Sequence, residues 1–328
     1  MRRIGLAFAL FLIAPLVAEF LLGNLSITML PALVVLAPLY GGGALLVRES
    51  ARRAGRGWPS ILLLGLAYGV VEEGLATQSL FNPDYLRLQM HLLDPAHVGF
   101  LGMGAWWTVF VLTLHVVWST AVSIALVEAL ARDEPRAPWL GRFGLALAGA
   151  LFVLGAVATA RFTLKGDPFV ASVPQLAGTV VAAALLVATA FAWPRWSEGR
   201  DAGSLPSPWL VGVVGLAVGS AFLVIPPAWG WWTVAADLGL AAAVAIAAAD
   251  WSRRAVWGRI HELALAGGAA LAYAWHAFLQ QPVVGDKGAI LRAGNALFAL
   301  GLLVLLGIGA RRARAVPGRE ASKGDAPR

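Results

Sequence analysis

The feature that most constrains this chain is a set of long runs without a charged residue. Five of them lie at 20–47, 95–127, 168–194, 202–236 and 263–285. Each is long enough to cross a ~30 Å hydrocarbon core, for which about 20 helical residues suffice. Hydrophobic residues make up 59% of the 328 positions and charged residues only 13%, which excludes a water-soluble globular enzyme and an intrinsically disordered chain. The absence of cysteine excludes disulfides and thiolate metal sites.

Proline, glycine and charged residues divide these apolar regions into ten predicted helices. The fold class is therefore all-α, a polytopic integral membrane helix bundle. It forms a single domain over residues 1–310, and a disordered basic cytoplasmic tail is expected over 311–328. The predicted spans are 4–23, 29–48, 58–80, 105–130, 139–162, 174–193, 208–226, 230–249, 257–280 and 289–310.

The basic residues predict the orientation of these spans. If both termini are cytoplasmic, all but five of the 25 Lys and Arg residues fall in cytoplasmic segments, as the positive-inside rule requires. The five exceptions are Arg87, Arg161, Lys165, Lys287 and Arg292. We interpret the net charge of +7 as a topology signal and a contact with membrane lipid, and expect no nucleic-acid binding. The expected location is the cell membrane, in particular a bacterial inner membrane.

Ionisable residues deep inside the predicted spans are the informative ones, because each is costly in hydrocarbon. Six positions meet this description: Glu19, Glu72, Glu73, His115, Asp237 and His276. Arg48, Glu49 and Glu128 fall instead near cytoplasmic helix ends. There we expect solvation and snorkelling, and a structural role.

The third, fourth and ninth helices are expected to line one polar cavity that opens outward. At about 1.5 Å per residue, the Glu72-Glu73 pair and His115 lie at a similar depth below the outer surface. On the ninth helix, Tyr273, His276 and Gln280 share a face.

The long connection at 81–104 contains His91 and His97 and is expected to be either a lid over the cavity or a re-entrant surface segment.

The adjacent pair Glu72-Glu73 is the sharpest chemical feature. Successive helical residues point ~100° apart, so both carboxylates are not expected to face one partner squarely. One would act on a water molecule while the other holds a histidine. A carboxylate and a neutral imidazole around one water form a hydrolytic arrangement, in which Glu takes the proton and His steadies the water or the oxyanion.

Three short patches resemble the CPBP family of intramembrane proteases, the CAAX prenyl endopeptidase type. They are the Glu72-Glu73 pair, His115 on the next helix, and His276 followed four residues later by Gln280. The resemblance implies catalytic roles for these two glutamates and two histidines, and peptide hydrolysis as the activity. It implies a peptide or lipid-like substrate, and it leaves open whether a divalent metal is the cofactor.

The family pattern has three departures in this chain. Thr77 stands where the family has arginine, Val111 where it has phenylalanine, and Gln280 where it has Asn or Asp. Two other hypotheses therefore stay open. One is a transporter or channel whose pathway includes the intramembrane acids and His115. The other is a non-catalytic scaffold, in which Gly41-Gly42-Gly43 and other small residues serve close helix packing.

Overall fold

The chain folds into ten long helices over the residues that the computed structural model describes, namely 3–131, 136–195 and 201–314. Their bounds are α1 (Arg3–Leu21), α2 (Ile27–Arg53), α3 (Trp58–Ala76), α4 (Ala105–Ala129), α5 (Arg142–Gly166), α6 (Val173–Ala192), α7 (Pro208–Val224), α8 (Trp231–Ser252), α9 (Arg259–His276) and α10 (Ala289–Arg314). Eight of the ten are long and apolar enough to cross a membrane. The exceptions are α7, which is apolar but shorter, and α9, which begins with charged residues. The predicted all-α polytopic membrane bundle is confirmed.

Five helix ends differ from the sequence prediction by about one turn. Helix α3 ends at Ala76 instead of 80, and α5 continues to Gly166 instead of ending at 162. Helix α2 continues to Arg53, beyond the predicted end at 48, because its last turn packs inside the protein. Helix α9 ends at His276 instead of 280. Helix α10 continues to Arg314, so 311–314 of the predicted tail are helical. The remainder of that tail, 315–328, lies outside the described residues.

The connection between α3 and α4 has a structure of its own. It contains a short 3-10 turn (Tyr85–Arg87) and a two-stranded antiparallel hairpin of β1 (His97–Val98) and β2 (Met103–Gly104). The hairpin turn exposes Phe100, which is 89% accessible. An apolar side chain in this position is suited to a lipid interface.

Helix α4 occupies the middle of the bundle, since it packs against α3 on one side and α9 on the other. Helices α7 and α9 pack closely through glycine. A Cβ atom at Gly268 would overlap the Gly212 carbonyl oxygen, and one at Gly215 would overlap the Leu265 carbonyl oxygen. Close backbone approach through small residues is typical of membrane helix packing.

Helices α5, α6, α8 and α10 present apolar side chains outward, as expected for a lipid-facing surface. Among the exposed large side chains are Phe143, Val153, Leu154, Val180, Leu185, Leu238, Ile246, Leu300 and Val304.

The charged residues near the C-terminal end of α2 form a buried network with Glu128 of α4. The sequence analysis predicted instead that these side chains would be solvated. Glu128 accepts hydrogen bonds from Arg48 Nε (3.0 Å) and Arg52 Nη2 (2.7 Å). Glu49 pairs with Arg48 and also accepts the Trp139 amide (3.0 Å). Arg48 and Glu49 are completely buried. The expected structural role fits, but the expected solvation was wrong, because the loop that contains Trp139 covers these side chains.

Candidate functional site

Two glutamates and one histidine meet between α3 and α4, at the point where both helices change geometry. Helix α3 widens into a π-helical turn over Glu72–Ala76, and α4 does so over His115–Val122. All three side chains are buried, with 2%, 7% and 4% exposure for Glu72, Glu73 and His115. The sequence expectation that these three groups lie at one level is met.

The His115 ring lies between the two carboxylates. Its Nε2 is 2.8 Å from Glu73 Oε1, a hydrogen bond, and its Nδ1 is 3.4 Å from Glu72 Oε2. Both glutamates therefore contact one partner, through the two nitrogens of the ring. The sequence argument did not foresee this, because it assumed regular α-helical directions and treated the imidazole as a single contact point. Only Glu73 has hydrogen-bond geometry, so the two acids remain chemically distinct.

Glu73 is held by hydroxyl groups from the turn that follows α3. Its Oε2 accepts hydrogen bonds from Thr77 Oγ1 (2.8 Å) and from the Ser79 hydroxyl. Ser79 in turn accepts a hydrogen bond from Trp107 Nε1 (3.0 Å). The hydroxyl of Thr77 therefore supports the glutamate directly.

The turn itself depends on an unusual backbone conformation at Gln78. This residue has φ 55°, in the left-handed region that disfavours residues with a side chain. Its side-chain Oε1 accepts the backbone amide of Ala171 (2.7 Å), which ties the turn to the start of α6. The left-handed step lets the hydroxyls of Thr77 and Ser79, on either side of it, reach the same carboxylate oxygen.

Two tyrosines form the aromatic wall around His115. Tyr40 stacks on the imidazole with ring centroids 6.0 Å apart, and Tyr68 meets it edge-on at 5.6 Å. A Cβ atom at Gly43 would overlap the Tyr68 ring, so this glycine makes the space that the ring occupies. Gly43, which the sequence analysis assigned to helix packing, therefore also shapes the site.

Helix α1 contributes a third acid to this cluster, Glu19, and α2 contributes the tyrosine that binds it, Tyr40. Glu19 accepts hydrogen bonds from the Tyr40 hydroxyl and from Asn24 Nδ2, each at 2.6 Å. Glu19 and Tyr40 also lie in π-helical segments, Leu16–Leu21 and Ala37–Gly41. Four successive helices therefore carry a π-helical turn at one polar cluster. Such turns are rare in proteins as a whole, and a large share of those known lie at functional sites.

Helix α9 does not supply the expected third wall, which comes from α1 and α2 instead. His276 lies at the end of α9, and its buried Nδ1 has no hydrogen-bond partner. Among the described residues, the set with metal-ligand spacing consists of Glu72, Glu73 and His115, without His276. Helix α9 meets α4 through stacking of Tyr273 on Trp118, with centroids 4.3 Å apart. The structure therefore joins three of the four residues predicted for the site.

The two histidines of the connection between α3 and α4 have local partners. His91 Nδ1 is 3.3 Å from Asp94 in an exposed pair, and His97 Nδ1 is 3.1 Å from the Leu93 carbonyl oxygen.

The sequence analysis missed two members of the site, Tyr40 and Ser79. Tyr40 immediately precedes the Gly41-Gly42-Gly43 run, and that juxtaposition was the available signal.

Two buried oxygen atoms at the centre have no hydrogen-bond partner of normal geometry. They are Glu72 Oε2 and the Tyr68 hydroxyl. Buried polar atoms are rarely left unsatisfied, and those that are deserve an explanation. A carboxylate with a free oxygen beside an imidazole has the groups needed to take a proton from water, and a free hydroxyl can donate to a developing negative charge.

Comparison with known proteins places the chain in a membrane family. No curated protein and no solved structure matches it. A family model described as "Uncharacterized membrane protein family" matches residues 8–284, which include the two glutamates and both histidines. The match covers most of the chain, which therefore belongs to this membrane protein family.

Proposed function

We propose that this protein is an intramembrane hydrolase similar to the CPBP proteases. The observation that carries the proposal is the buried contact of His115 with both Glu72 and Glu73, at two π-helical turns. The centre would lie in the outer half of a cell membrane, with both termini cytoplasmic. A bacterial inner membrane is the expected setting.

The reaction is the addition of water to a carbonyl group. Glu72, whose Oε2 has no hydrogen-bond partner, takes a proton from water while the hydroxide oxygen bonds to the carbonyl carbon. The carbonyl electron pair moves to its oxygen, where the Tyr68 hydroxyl donates a hydrogen bond. The intermediate then expels the leaving nitrogen or oxygen, which receives the proton from Glu72. His115 is held beside the water by Glu73.

The position of the centre limits the substrate class. Its groups are buried between helices with apolar outer faces, so the scissile carbonyl would enter from the membrane or its outer interface. A peptide with an apolar segment or a lipid-like ester or amide meets this condition. Ser79 belongs to the outer connection and contacts Glu73, so this connection would border the entry route.

Two observations favour hydrolysis over the other hypotheses. A scaffold would pair each acid separately, whereas Glu72 and Glu73 share one histidine. A transporter needs a polar route to the cytoplasmic side, where Arg48, Arg52 and Glu128 form a closed buried network.

The proposal is tested with the full-length protein reconstituted in lipid. It is incubated with a library of apolar peptides and lipid amides in water enriched in heavy oxygen, and products are identified by mass spectrometry. Hydrolysis places one heavy oxygen in the new carboxyl group. We expect Glu72→Gln and His115→Ala to lower the rate at least ~100-fold, the usual contribution of an acid-base group.

Asp237→Asn is the matched control. Asp237 is a buried acid on α8, and neither of its oxygens has a hydrogen-bond partner. We expect this variant to retain the wild-type rate. Label incorporation that survives in Glu72→Gln, or that is lost equally in the control, contradicts the proposed site.

A further inference from the structure

The two glutamates at the centre have an unusual charge environment. Among the described residues, no arginine or lysine lies within ion-pairing distance of Glu72 or Glu73, and their ion-pair contacts are with His115 alone. The buried acids at the cytoplasmic end are different, because Glu49 and Glu128 pair with arginines. Buried charges in proteins are normally paired or bound to a metal.

The ligand geometry is that of a cation site. One carboxylate oxygen from each glutamate and one imidazole nitrogen all lie within 4.8 Å of one another. Mixed carboxylate and imidazole ligands suit divalent transition metals, zinc in particular. Three protein ligands are also the usual number for a catalytic zinc ion, which keeps a further position for water.

Two further features of the centre favour a bound cation. Glu72 Oε2 and the Tyr68 hydroxyl are buried without a hydrogen-bond partner of normal geometry, although the two side chains lie close enough to interact with each other. The structure also contains hydrogen bonds that would orient a metal ligand, since Thr77 and Ser79 donate to the second oxygen of Glu73. Outer partners of this kind orient metal ligands and raise metal affinity.

We propose that Glu72, Glu73 and His115 bind one divalent transition-metal ion, with zinc as the preferred ion. The binding site stands on its own geometry, whereas the role of the ion rests on the proposed function. In the hydrolase it would bind the attacking water and make that water easier to deprotonate. Glu72 would bind the ion through Oε1 and keep Oε2, the oxygen without a hydrogen-bond partner, for the proton of that water.

The test measures metal binding directly. The full-length protein is purified in detergent, stripped with a chelator and incubated with ZnCl2 or, separately, MnCl2. Bound metal is counted by elemental mass spectrometry after gel filtration, and thermal unfolding is followed with and without metal. We expect about one zinc ion per chain and a higher Tm with zinc, because a ligand of the native state stabilises it.

Variants connect the binding to these residues. Glu72→Gln conserves side-chain volume and His115→Ala removes the imidazole, so binding can be read from whichever variant is monodisperse on gel filtration. Each is expected to bind zinc at least ~10-fold more weakly, while Asp237→Asn binds it like the wild type. Less than stoichiometric zinc in the wild type, or equal binding by the variants, overturns the proposal.

Metal binding and hydrolysis can fail independently. Stoichiometric zinc without hydrolysis supports the metal site and contradicts the proposed function. Hydrolysis at an unchanged rate in chelator-treated protein contradicts the role of the ion in hydrolysis and supports the proposed function.

Discussion

At the scale of single residues, the partner determines what a buried acid does in this protein. Glu128 lies between two guanidinium groups and is locked in place by them. Glu72 has a nearby imidazole and an oxygen that accepts no hydrogen bond of normal geometry. The first arrangement stabilises helix contacts, whereas the second leaves a group available for chemistry.

Glu128, the acid held between two arginines, gives a clear stability prediction. Glu128→Ala leaves Arg48 and Arg52 buried without their shared carboxylate, and we expect the free energy of unfolding to fall by about 3–5 kcal/mol. Denaturant titration of the protein in mixed micelles measures this. Asp250→Ala breaks the more exposed pair with Arg254 and should cost at most about 1 kcal/mol. Equal effects of the two substitutions would show that burial of the network is unimportant.

At the scale of elements, helical periodicity predicts the helices but not their π-helical turns. Glu72, Glu73 and His115 could be recognised because acids and histidines are rare in apolar spans. The side-chain directions drawn from a regular helix were misleading, since the backbone is π-helical where these residues stand. Nothing in ordinary residues such as Leu75 or Val116 distinguishes a π-helical turn from an α-helical one.

The glycine contact between α7 and α9 is testable at this scale. Gly268→Ala places a methyl group against the Gly212 carbonyl, and we expect a loss of about 1–3 kcal/mol as the helices separate or distort. Gly301→Ala on α10 is the control, because a Cβ atom there meets nothing within 4 Å. It should leave the Tm unchanged or raise it. Thermal unfolding in detergent compares the two, and a larger loss for Gly301→Ala would refute the packing argument.

At the scale of the whole molecule, the sequence predicts helix number and bounds well because bilayer thickness fixes how long each apolar run must be. It does not say which helices become neighbours. Glu19 and Tyr40 join the centre only because α1 and α2 pack beside α3 and α4, and His276 was expected there on the strength of its residue type and spacing. The chemistry of the side chains therefore identifies candidate site residues, whereas tertiary packing determines which of them meet at the site.

The predicted orientation can be measured directly because the chain contains no cysteine. A cysteine introduced at Asp94, in the connection between α3 and α4, should react with a membrane-impermeant maleimide in intact cells. One introduced at Ser204, between α6 and α7, should react only after lysis, since the basic residues predict that this segment is cytoplasmic. Both positions are exposed. The reverse labelling pattern would invert the topology.

The left-handed backbone at Gln78 couples the turn after α3 to the buried carboxylate of Glu73 through hydrogen bonds. A side chain in this conformation costs on the order of 1–2 kcal/mol, offset here by the hydrogen bonds of Thr77 and Ser79 to Glu73. Neutralising Glu73, by a proton or a bound cation, weakens those bonds and leaves the strain less opposed. The backbone strain at Gln78 is therefore offset only as far as the buried carboxylate of Glu73 keeps these two hydrogen bonds.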